Sequence, residues 1–165
     1  MSNTSPPIVA TAARHGATTP IDVSLRHRPD WKRALRFVRR AADWLNLAFA
    51  GAIVVGVFVQ VYLIGSYIFG AGQEALDAHR AVGFALQGPE LFVLLTALIA
   101  WLPLIDLLLS LLIAVIGFVQ AFLASTQEWV GGLHPLLALV LFSLAAMLAL
   151  RGIRRHREAQ RARST

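Results

Sequence analysis

Residues 44–69 read WLNLAFAGAIVVGVFVQVYLIGSYIF, a run without a single charged side chain. At about 1.5 Å of rise per residue a helix over this run reaches about 39 Å, more than the roughly 30 Å hydrocarbon thickness of a bilayer. It is expected to cross a membrane as a helix, because a helix satisfies its own backbone groups where no water is available to do so. The run ends at Gly70-Ala71-Gly72, residues that commonly terminate helices. A second span is expected over 79–100, closed by Trp101 at the interface and by Pro103, which suits the first turn of a following helix. A third covers 104–123. The connection 125–133 carries Glu128, Trp129 and Gly131-Gly132, and a fourth span covers 134–150 with Pro135 in its first turn.

Four consecutive helices with short links predict an all-α, up-down-up-down transmembrane four-helix bundle over residues 44–150. Composition agrees: 57% of residues are hydrophobic, 15% are charged and mean hydropathy is +0.64. Residues 1–30 mix Ser, Thr, Pro and isolated charges without an apolar period, and are expected to be a disordered cytoplasmic tail. Over residues 31–43, Trp31, Leu35, Val38 and Ala42 fall at helical spacing, with Lys32, Arg33, Arg36, Arg39 and Arg40 largely around the other side. This predicts a basic amphipathic interfacial helix that lies on the inner leaflet and turns into the first span; the alternative is a straight helical extension of that span. Residues 151–165 are expected to be a basic cytoplasmic tail.

The net charge is +6, and fourteen of the fifteen basic residues flank the apolar block. Lys and Arg accumulate on the cytoplasmic side, so both ends are expected inside a bacterial inner or plasma membrane, and an even number of crossings follows. Contact with anionic inner-leaflet lipids accounts for the charge without nucleic acid. Cysteine is absent, which excludes disulfides, thiolate-held clusters and covalent haem attachment. The first apolar run begins too late and runs too long for a cleavable signal peptide, so it is expected to remain.

Ionisable groups within spans are costly and mark candidate sites. His79 and His134 open the second and fourth spans, which run in the same direction, so they share a depth near the outer face. In a square bundle these helices are diagonal, and two imidazoles at one depth can address one object between them. A haem with one imidazole on each face of the iron fits that arrangement. Gly83 and Ala138 lie one turn inward and remove bulk beneath each histidine; the bland alternative is that small residues merely let helices approach. Arg80 could pair with a propionate or with Asp77. Gln60 and Gln120 are placed at the histidine level, able to bond a cofactor or each other. Glu90 follows Gln87-Gly88-Pro89 and lies about 16 Å deeper than His79 on the same helix face. An unpaired carboxyl there is expected to be neutral, because ionisation in hydrocarbon is costly; it reads either as a proton relay or as a hydrogen-bonded packing residue. Asp106 is expected at a helix start, where negative charge is favourable. His15, His27 and His156 read as solvated bystanders in the tails.

His79-Arg80-Ala81-Val82-Gly83-Phe84 and Leu133-His134-Pro135-Leu136-Leu137-Ala138 resemble the histidine-bearing helix starts of haem A synthase and, more loosely, of b561-type cytochromes. Residues 117–123, GFVQAFL, followed by Thr126, are similar to the glutamine-containing segment that precedes the second histidine in haem A synthase. The layout is also similar to a family of small bacterial four-helix membrane proteins, which implies no activity. The resemblance implies one b-type haem held by His79 and His134. Haem A synthase looks like two such bundles joined, so oxidation of a haem methyl is not implied here. The b561-type proteins use histidines near both faces, and no embedded histidine is left here for an inner haem. The leading expectation is electron transfer by a bis-histidine haem b near the outer face, with a redox partner or quinol and a second copy of the chain as partners. The alternatives are a non-haem accessory or scaffold protein and a small proton-coupled transporter centred on Glu90. No nucleotide loop, nucleophile–base motif or zinc spacing assigns an enzyme class.

Overall fold

The computed structural model describes residues 31–124 and 129–164. All regular structure among them is helical: α1 (Trp31–Ile68), α2 (Gln73–Ala100), α3 (Leu104–Ala124), a 3-10 turn (Trp129–Gly132) and α4 (Leu133–Ser164). Each of the four α-helices is long and apolar enough to cross a membrane, so the chain is a multi-pass membrane protein built as a four-helix bundle. The expected disordered tail 1–30, with His15 and His27, and Glu128 of the outer connection lie outside the described residues.

Neighbours follow chain order around a square. α1 meets α2 where Asn46 Nδ2 donates to the Val93 carbonyl at 2.7 Å and where Phe49 stacks on Phe92. α2 meets α3 where Glu90 packs on Gly117, and α3 meets α4 through Gln120 and His134. α4 returns to α1 through the edge-to-face pair Phe58–Phe142. The centre is filled by Ile53, Val57, Val93, Ile113, Leu141 and Ala145. Phe58, Phe84, Phe118 and Phe122 instead face outward at 63–78% exposure. So much aromatic surface turned away from the core is unsuited to water and fits lipid.

Turns sit where glycine and proline placed them. At the end of α1, Gly70 has φ +95° while the Ala71 N–H bonds the Ser66 carbonyl, the 6→1 link of a Schellman cap. α2 ends on Trp101, a non-glycine residue at φ 55° whose N–H reaches the Ala97 and Leu98 carbonyls. Arg39 supports this end from α1: its Nε donates to the Ala100 carbonyl at 3.2 Å and its guanidinium lies 5.1 Å from the Trp101 ring centre.

The first and fourth helices run further than the expected spans. Residues 31–43 do not form a separate segment turning into the first span; α1 is one uninterrupted helix of 38 residues. Residues 151–164 continue α4 as helix. Lys, Arg, Ala, Leu and Glu are good helix formers, so a change of solvent along the axis need not end the helix. Both extensions leave the same end of the bundle, the basic end.

Candidate functional site

At the opposite end, His79 on α2 and His134 on α4 face each other across the diagonal, with ring centres 6.4 Å apart and planes at 83°. Each ring is held in the same way. His79 Nδ1 lies 3.2 Å from the carbonyl oxygen of Gln60, and His134 Nδ1 lies 3.2 Å from that of Gln120. A carbonyl only accepts, so in each hydrogen bond Nδ1 carries the proton and Nε2 of the neutral ring is left with a free lone pair. This second bond is how ligating histidines are commonly fixed in tautomer and orientation. Both Gln side chains are half-buried at this level, and their Oε1 atoms are buried without a partner.

The other expected contributors are dispersed. Arg80 pairs with Asp77 at 3.2 Å, both side chains more than half exposed, an arrangement worth little energetically. Gly83 does not leave open space under His79: a Cβ there would come within 2.7 Å of Gln60 Nε2, so the missing side chain makes room for the glutamine amide. Ala138 is half-buried one turn below His134.

The sequence alone gives no convincing internal repeat, but the matched histidines draw attention to a short one. Phe58-Val59-Gln60-Val61-Tyr62-Leu63 on α1 repeats as Phe118-Val119-Gln120-Ala121-Phe122-Leu123 on α3. Each Gln carbonyl receives the histidine of the next helix, so α1–α2 and α3–α4 hold their histidines in the same way. Counting from the histidines, Leu86 corresponds to Leu141 and Glu90 to Ala145; counting from the glutamines, Gly117 corresponds to Val57. Glu90 and Gly117 are thus a matched departure from the Ala145 and Val57 of the other half.

The steric reason is direct. A Cβ on Gly117 would collide with the Glu90 carboxyl, which is 4% exposed. That carboxyl accepts a hydrogen bond from the Gln120 side chain, whose backbone carbonyl holds His134. The axial distance from His79 is therefore not the relevant separation, because Glu90 reaches the histidine level through α3. Gly117→Val should destabilise the bundle by about 2–3 kcal/mol through overpacking. Adding Glu90→Ala should return stability to within about 1 kcal/mol of wild type, since the pair then copies the other half and loses one hydrogen bond. Unfolding in mixed micelles measures this, and a double variant as unstable as Gly117→Val alone would contradict the equivalence.

The basic end holds a cluster that sequence reasoning missed. Asp106, fully buried in the first turn of α3, accepts from Arg151 Nε and Arg155 Nη1 of α4, while Arg155 Nη2 also bonds Asp43 of α1 at 3.0 Å. His156 is not a solvated bystander. Its ring stacks on Trp44 at 3.9 Å and 15°, with Nε2 3.4 Å from Asp43 Oδ2 but without hydrogen-bond geometry. The sequence signal was available: two acidic residues and two arginines share one boundary of three spans. No known family profile, curated protein or solved structure matches the chain.

Proposed function

We propose that His79 and His134 are the axial ligands of one b-type haem near the outer face of the membrane, and that the protein transfers single electrons there. The observation that carries this reading is the mirrored placement of the two imidazoles. A bond from imidazole nitrogen to a metal is about 2.0–2.1 Å, and the ring centre lies roughly 1.1 Å behind the donor, so two rings facing one metal stand about 6.3 Å apart. The ring-centre distance of 6.4 Å is compatible with that spacing.

The donor set also favours a cofactor that brings its own ligands. Among the described residues no group of three or more His, Cys, Asp or Glu could hold a bare metal ion, whereas haem needs only axial protein ligands. When bound, haem supplies one-electron redox chemistry. The chain's part would be to fix both rings through the Gln60 and Gln120 carbonyls, which leaves each Nε2 available as a ligand. The excess of Arg and Lys at the other end supports a placement of both termini in the cytoplasm, with the histidine end outward.

Absorption and electron paramagnetic resonance spectra of the full-length protein, expressed with ample haem, test the proposal. The expected result is a low-spin ferric signal of the strongly anisotropic kind, dominated by one low-field feature, because the ring planes are nearly perpendicular. A high-spin ferric signal would mean that the two histidines do not both bind the iron. A colourless protein would favour the scaffold reading, in which the two rings simply touch edge to face.

A further inference from the structure

We propose that the basic end binds the phosphate of an anionic phospholipid headgroup in the cavity between α1, α4 and the α2–α3 link. The proposal stands apart from the haem reading and uses none of its residues. The cavity encloses about 380 Å³ and is lined by Arg36, Arg39, Arg40, Arg155 and Arg163, with Asp43 as the one carboxylate in the lining. Arg36, Arg40 and Arg163 form no ion pair among the described residues. One further donor of the lining, Arg155 Nε, is buried without an acceptor. An arginine cluster with unspent donors matches the oxygens of a phosphate ester.

The rest of the lining selects a lipid over a free ion. Trp44, Ala100, Leu102 and Ala159 form an apolar wall beside the arginines. Trp44 is half exposed and Trp101 stands next to the cavity, and such residues mark the level where acyl chains meet headgroups. A phosphate among the arginines therefore has apolar surface beside it for the glycerol and upper chains. Basic recesses between membrane helices on the cytoplasmic side commonly hold anionic headgroups in this manner.

The extension of α1 and α4 beyond the span acquires a reason. Arg36 and Arg40 are one turn apart on α1, and the continued helix holds both over the cavity.

Native mass spectrometry of the full-length protein in neutral detergent, titrated with phosphatidylglycerol or phosphatidylcholine, tests the site. Wild type should bind one phosphatidylglycerol clearly more tightly than phosphatidylcholine. The double variant Arg36→Gln/Arg40→Gln should lose about 25-fold in phosphatidylglycerol affinity, at about fivefold for each arginine removed near the membrane surface. Its fold should persist, since both side chains are exposed and make no ion pair. Arg154→Gln/Arg157→Gln removes the same charge from outside the cavity and should change affinity less than about threefold. Equal losses in the two double variants, or equal affinity for the two lipids, would overturn the proposal. Inorganic phosphate should not displace the lipid at equal concentration; displacement would assign the cavity to a free phosphate and overturn the lipid assignment.

Discussion

Asp106→Asn should lower the unfolding free energy of the bundle by about 3 kcal/mol, the low end of the 3–5 kcal/mol typical when one partner of a buried ion pair is removed. The carboxylate is fully buried and receives two arginines from α4. An asparagine keeps the shape but leaves both guanidiniums without their shared counter-charge. The loss stays near the low end for two reasons: Arg155 retains Asp43, and the Arg151 side chain is 36% exposed and can turn toward headgroups. Arg151→Gln should cost less, because Asp106 then keeps Arg155. Reversible unfolding of both variants in mixed micelles gives the comparison. An Asp106→Asn protein within about 0.5 kcal/mol of wild type would show that the cluster is an incidental surface arrangement, whose pairs are worth little.

The four spans were legible because long apolar runs with so few charges have few other folded solutions, and the turns because Gly70, Gly72 and Pro103 constrain the backbone locally. The true lengths of α1 and α4 were not. Hydropathy falls at Trp44 and after Leu150, but helix propensity does not, and the first signal was allowed to set boundaries that the second governs. The histidine pair was legible from depth alone, since α2 and α4 run in the same direction. The means of holding the rings was not, because backbone carbonyls leave no trace in residue identity. The repeated Phe-Val-Gln at 58–60 and 118–120 is the one trace of it in the sequence.

The basic end was misread for a different reason. Arg151 and Arg155 were absorbed into a count of positive charges, which explains orientation without asking for partners. Asp43 and Asp106 are 63 positions apart, and only the closure of α1 and α3 onto α4 gives them a common pair of arginines. His156 lies among the basic residues after the fourth span, and its stacking partner Trp44 is more than a hundred positions earlier, so no local pattern connects the two rings. Asn46 was likewise overlooked as a polar residue in an apolar run, although its bond to the Val93 carbonyl ties α1 to α2 near mid-helix.

Haem content is the measurement closest to the central proposal. Full-length protein expressed with ample haem should purify with about one haem b per chain, while His79→Ala and His134→Ala should each lose the low-spin reduced bands and most of the pigment. His156→Ala should keep them, because that ring belongs to the basic end. Gln60→Ala and Gln120→Ala should also retain haem, since the atoms that hold the histidines are backbone carbonyls. Wild-type protein without haem, or His79→Ala and His134→Ala proteins with haem content and spectra equal to wild type, would contradict the assignment of this pair as axial ligands.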